Sequence, residues 1–98
     1  MGHARPRPSR LAEKLLQIRN ALGLSQTEMH RRLGVQELIE YHAISKYEHN
    51  KSEPTLMILL EYARLANVYV EVLIDDELDL PARLPSAKKH EGVRRRGR

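Results

Sequence analysis

The sequence predicts an all-α fold, a compact bundle of five helices. Apolar residues recur at spacings of three and four, as in Leu11, Leu15, Ile18 and Leu22, which form one helical stripe. Residues suited to a left-handed helix stop, Gly23, Gly34, Asn50 and Asn67, follow the periodic segments. Only four aromatic residues occur, all Tyr, so Leu, Ile and Val carry the burial.

Each element has its own local reason. Ser9 is the expected N-cap of the first helix, and Gly23 its stop. The second helix has the clearest start. Ser25 and Glu28 form a Ser-x-x-Glu capping box, and Leu24 and Met29 occupy the two positions of a hydrophobic staple. Leu33 extends its apolar face and Gly34 ends it. Residues 35–39 fit either a turn or an early start to the third helix, which includes Tyr41 to Glu48 with Ile44 and Tyr47 facing inward. Pro54 and Thr55 open the fourth helix, with an expected buried stripe of Leu56, Leu59, Leu60, Ala63 and Ala66. Val68 to Ile74 fits a short fifth helix through Val70, Leu73 and Ile74. It also alternates like a strand and is rich in β-branched residues. The five-helix count takes it as helix.

Length and composition bound the rest. Ninety-eight residues make one small domain with a marginal core. The expected organisation is a flexible basic arm over 1–8, a folded domain over 9–82 and a disordered basic tail over 83–98. With no Cys, a disulfide framework and a thiolate metal site are excluded. No apolar run approaches the ~20 residues needed to span a bilayer, and residues 1–8 lack the apolar stretch of a secretory signal. The expected location is the cytoplasm, with no membrane partner.

The net charge of +4 hides an asymmetry. Residues 1–10 carry Arg5, Arg7 and Arg10 and no acid, and residues 83–98 carry seven basic residues against Glu91. The body between them has seven basic and twelve acidic residues. Basicity in the tails supports nucleic-acid binding only through a flexible arm, with Arg5 and Arg7 as phosphate contacts. The acidic cluster Asp75, Asp76, Glu77 and Asp79 should face away from DNA or meet a basic partner surface.

Residues 24 to 54 carry the functional signal. Two short helices joined by a turn form the element that places one helix in the major groove of DNA. From Leu15 to Ile74 the chain resembles the Cro/phage-repressor helix-turn-helix family of the XRE type. The matching residues are Ile18-Arg19, Leu22 to Gln26, Leu33-Gly34-Val35, Ile44 to Glu48, Asn50-Lys51, Pro54, Leu59-Leu60, Ala63 and Asn67-Val68. The resemblance implies a bundle of about five helices that binds double-stranded DNA, usually as a homodimer.

It also implies roles. Gln26 resembles the phosphate-contacting residue at the start of helix two, where free backbone N–H groups face phosphate. Tyr41, His42, Ser45 and Lys46 fall on the base-reading face of helix three, and Lys46 is suited to guanine O6 and N7. Lys51 resembles the backbone-clamping position. Arg19 and Glu48 resemble an inner ion pair with a structural role.

Two departures stand against the family pattern. Eight residues separate Val35 from Ile44, about twice the common number, which re-aims Tyr41 and His42. His30 stands where the family usually places a small Ala. We read these as compensating: the imidazole needs room, and the extra residues push helix three outward.

Other chemistry finds little footing. His42 and His49 lie seven apart on one helix, but a metal site needs at least one further ligand at fitting spacing, and no His-Glu-x-x-His pattern occurs. Neither a nucleophile elbow nor a phosphate-cradling Gly loop occurs. The expectation is a regulator that is not an enzyme and uses no cofactor or metal, and that acts as a repressor at an operator. The dimer-interface candidates lie in Val68 to Leu80: Val70, Val72, Leu73, Ile74 and Leu78. The rival reading is an antitoxin or adaptor whose acidic surface binds a basic, toxin-like protein.

Overall fold

The computed structural model describes residues 6–85. Among them are five helices and no strand: α1 (Leu11–Leu22), α2 (Gln26–Leu33), α3 (His42–Glu48), α4 (Leu56–Ala66) and α5 (Val70–Ile74). The alternation of Val68 to Ile74 therefore does not build a strand. Within the short helix that forms instead, Leu73 is fully buried in the core. Arg5 and residues 86–98 of the basic tail lie outside the described residues.

Local signals fix the helix ends. The Ser25 hydroxyl accepts from the Glu28 backbone N–H at 3.1 Å, and the Glu28 carboxylate accepts from the Ser25 N–H at 2.8 Å. The Ser25 N–H, then its hydroxyl, holds the Glu28 carboxyl below its ordinary value. Gly34, at φ 71°, ends α2 in the left-handed region that a side chain rarely adopts. Thr55 caps α4 through its hydroxyl, and Asn67 closes it at φ 65°.

The start of α1 departs from expectation. Ser9 does not cap the helix. Arg10 occupies that position without a side-chain cap, and the capping group comes from the far end of the chain. The Asp76 carboxylate accepts from the Ser9 N–H at 2.9 Å, the Ser9 hydroxyl at 3.0 Å and the Arg10 N–H at 3.0 Å. A negative group at a helix N-terminus also complements the helix dipole. Arg10 in turn donates to the Asp76 carbonyl at 2.9 Å and to Asp79 at 2.6 Å. Asp76 and Asp79 therefore bond to the residues that open α1, Asp79 with its side chain still 77% exposed.

One turn further, Lys14 is fully buried. Its ammonium donates to the carbonyls of Val72 at 2.8 Å and Asp75 at 2.9 Å, at the end of α5. The Val72 carbonyl lies in the last turn of α5, where intrahelical partners run out, and the Asp75 carbonyl, which also accepts from the Leu78 N–H at 3.0 Å, lies just past it, so the buried cation fills acceptors at the helix end. This clasp joins the first helix to the last.

The core gathers Leu11, Leu15 and Ile18 of α1, Met29 and Leu33 of α2, Ile44 and Tyr47 of α3, and Leu73 of α5 around α4. The buried face of α4 is Ile58, Leu59, Tyr62, Ala63 and Ala66. Leu56, expected inside, is exposed. Beyond α5 the chain runs back over the bundle: Leu80 and Leu84 pack against the core, and Asn67 donates to the Pro85 carbonyl at 3.2 Å.

The clasp has a pH signature. The Ser9 and Arg10 N–H groups hold the Asp76 carboxyl below its ordinary value, so its stabilisation is complete above that value and is lost as pH falls through the lower folded one. Asp76→Ala should lower Tm at neutral pH, and the gap to wild type should close below about pH 4. Thermal melts from pH 7 to pH 2 read this, and a gap constant over that range would refute it.

Candidate nucleic-acid interface

Helix α3 is amphipathic in a functional sense. Ile44 and Tyr47 anchor it in the core, while Tyr41, His42 and Lys46 are exposed on its outer side. Among the described residues nothing seals that side. Tyr41 is the residue before the helix, already in helical conformation, with 48% of its surface exposed. Its ring lies against the His42 ring, centroids 4.0 Å apart and tilted by 31°. His42 Nδ1 is 3.4 Å from Glu40. Ser45 is half-buried and engaged with His49, whose Nδ1–H donates to the Ser45 carbonyl at 2.8 Å and lies 3.3 Å from its hydroxyl.

The exit of α3 turns at Asn50, in the left-handed region at φ 60°. The Lys51 backbone N–H donates to the Lys46 carbonyl at 2.8 Å, leaving the Lys51 side chain exposed. Arg7 reaches the same corner and donates to the Asn50 side-chain oxygen at 3.2 Å. Two cations, Arg7 and Lys51, therefore flank one end of that exposed face.

A buried ionic hub fixes α3 in place. The Glu48 side chain is 1% exposed. It accepts from Arg19 Nε at 2.7 Å, Arg19 Nη2 at 3.0 Å and Gln26 Nε2 at 3.1 Å. Arg19 also donates to the Leu24 carbonyl at 3.0 Å, in the turn before α2. The paired N–H groups of a guanidinium match a carboxylate in geometry as well as charge. Gln26 thus spends its side-chain amide on the hub, while its backbone remains at the N-terminus of α2. Arg31 and Arg32 are exposed on the last turn of α2.

The segment before α3 is ordered by its own bonds. The N–H groups of Leu38 and Ile39 both donate to the Val35 carbonyl, at 2.9 and 3.1 Å, making one helix-like turn on the buried Val35. The His30 Nε2–H then donates to the Ile39 carbonyl at 2.7 Å. A family model described as helix-turn-helix matches residues 15–73.

The chain belongs to the helix-turn-helix family. The match takes in everything from mid-α1 to the buried Leu73 of α5 and supports a DNA-binding regulator of the Cro/repressor, XRE type. No curated protein and no solved structure matches the chain. In this helix-turn-helix domain, α2 and α3 are the paired helices and α3 presents the free face. No helix among the described residues is long and apolar enough to cross a membrane.

Placement of the remaining site residues is mixed. Val70 and Val72 are half-buried, as is Leu78 beyond the helix, and Ile74 is exposed. Leu73 is fully buried within its own chain, so it cannot face a partner. This corrects its selection as an interface residue, because in a five-residue helix one position must plug the core. Two contributors were missed. Gln26 as a third arm of the hub had no signal beyond its type. The Ser45–His49 bond had one, since a spacing of four places both on one helix face.

Tyr62, beside the hub, is fully buried, and its hydroxyl has no hydrogen-bond partner among the described residues. Burial, then the Glu48 charge, pushes its ionisation above the ordinary tyrosine range. Tyr62→Phe should therefore fold with unchanged or higher stability, because it deletes an unsatisfied polar group; a loss above about 1 kcal/mol in denaturant melts would refute this. Arg19→Ala leaves the Glu48 carboxylate buried with only Gln26 for a donor. It should cost about 3–5 kcal/mol in the same melts; a loss below about 1 kcal/mol would show that the hub is not structural.

Proposed function

We propose that this protein is a sequence-specific transcriptional repressor that occupies an operator as a homodimer, with α3 in the major groove. The observation that carries the reading is a recognition helix held on three sides and left open on the fourth. Core packing of Ile44 and Tyr47, the Glu48 hub and the ordered turn before α3 fix its axis. Tyr41, His42 and Lys46 remain outward, and Ser45 sits at the edge of that face.

Roles follow from chemistry. Lys46 donates to acceptors on a guanine edge, and Ser45 can serve as donor or acceptor. Tyr41 and His42 offer a stacked aromatic edge and a ring nitrogen. Arg7 and Lys51 take phosphates on one flank, and the N-terminus of α2 at Gln26 takes another. Arg5, outside the described residues, is assigned the same phosphate-contacting role.

Dimerisation is proposed because one helix reads only a few base pairs and two-fold pairing doubles the site. The surface with most support is the outer side of α5: Tyr69 and Ile74, 79% and 43% exposed, with Val70, Val72 and Leu78 beside them. The domain proper is residues 9–82, with the stretch to Pro85 packed onto it. Residues 1–8 serve as the basic arm, and the basic tail falls beyond. A cytoplasmic location follows from the proposed role. The antitoxin-like alternative has less support, because Asp76 and Asp79 already face Ser9 and Arg10.

Selection of bound duplexes from a random DNA pool tests the proposal. It should return one two-fold symmetric site, and a pool without enrichment would remove the reading. On that site Lys46→Ala should weaken specific binding by about 1–3 kcal/mol and relax preference at one base pair per half-site. A loss uniform over all sequences would make Lys46 a phosphate contact instead.

A further inference from the structure

One hydrogen bond ties α2 to the turn that leads into α3. His30 lies on α2, and residues 34–41 form a long turn between α2 and α3. The His30 Nε2–H donates to the carbonyl of Ile39, inside that long turn, at 2.7 Å in a partly buried setting.

The position of Ile39 gives the bond its leverage. Its carbonyl belongs to the planar peptide that links Ile39 to Glu40, so pinning the oxygen orients the whole plane. Glu40 follows, and its carbonyl accepts from the Ala43 N–H at 3.0 Å as the chain winds into α3. Tyr41 is next. The entry of α3 carries no side-chain cap of its own, unlike α2 and α4, which have Ser25 and Thr55. The hub holds α3 at its far end, through Glu48. The near end, where Tyr41 and His42 project, is held instead by a residue of α2.

We infer that His30 is a positioning residue for DNA sequence recognition: its bond to the Ile39 carbonyl sets the aim of Tyr41 and His42. The inference rests on the DNA-reading role proposed above for α3. It divides the recognition face in two. The half near the turn, Tyr41 and His42, depends on His30; the half near the hub, Ser45 and Lys46, does not.

Random-pool selection with wild type, His30→Ala, His30→Leu and His30→Gln tests this. His30→Ala removes both the donor and the bulk, His30→Leu keeps bulk without a donor, and His30→Gln keeps an amide donor at a similar reach. The expected result is that Ala and Leu flatten preference at the base pairs that Tyr41→Ala and His42→Ala also lose. Preference at the base pair lost in Lys46→Ala should persist. Affinity for the wild-type site should fall about fivefold or more, while affinity for a random-sequence duplex stays within about twofold. Gln should restore most of the selectivity. A merely structural role would instead lower Tm and weaken both duplexes alike.

If circular dichroism shows that His30→Ala does not fold, His30→Leu carries the comparison. Selectivity unchanged in the folded donor-less variant, or lost equally in His30→Gln, overturns the inference. Failure of wild type to enrich any sequence overturns the proposed function itself, which keeps the two failures apart.

Discussion

The arrangement of this domain depends on one carboxylate. Glu48 is removed from water, and a buried anion of that kind is tolerable only when its oxygens are filled by donors. Arg19 from α1 and Gln26 from α2 supply them. Three helices thereby become fixed relative to one another at a single point, and any shift of α3 along its axis would strand the charge. Such a bond does less for net stability than for uniqueness, since a hydrophobic replacement of equal volume can be as stable. What it fixes here is the place of α3, and the outward side of that helix inherits its definition from the buried side.

A second polar device sits at the opposite end of the bundle. Asp76 caps α1 from outside the helix, Arg10 bridges back to Asp76 and Asp79, and Lys14 closes the carbonyls of α5. Helix α5 has only five residues and would be marginal alone. Its apolar contribution is mainly Leu73, so the ammonium of Lys14 has a large share in holding it. Part of the acidic cluster, which by composition looks like a surface for a partner, is already bonded to Ser9 and Arg10 at the start of α1.

What the sequence made legible was local. The Ser25–Glu28 box, the Gly34 stop and the left-handed Asn50 and Asn67 each rest on a few adjacent residues. Periodicity gave α1 correctly because its stripe alternates with polar residues. It misjudged α4 because Leu-Met-Ile-Leu-Leu is apolar all round, so the phase of the buried face is set by neighbours. That is why Leu56 lies outside while Ile58 and Tyr62 lie inside. The start of α1 was misread because Asp76, its capping group, stands more than sixty residues away, and Ser9 alone looked sufficient. Leu73 offered the same hydrophobic character as Val70 and Ile74, and only the fold shows which one fills the core. Within the candidate site, the free face of α3 was visible in residue types. The latch between His30 and Ile39 was visible only as two oddities whose connection required coordinates.

Lys14 has a consequence for how the chain comes together. A polypeptide is made from its N-terminus, so this lysine exists long before the carbonyls of Val72 and Asp75 that receive it. Until some sixty further residues have left the ribosome, α1 has an ammonium on the side that must turn inward, and water competes for it. The first helix therefore lacks this anchor until α5 has been made, and Lys14 can be satisfied away from water only once that last short turn is in place.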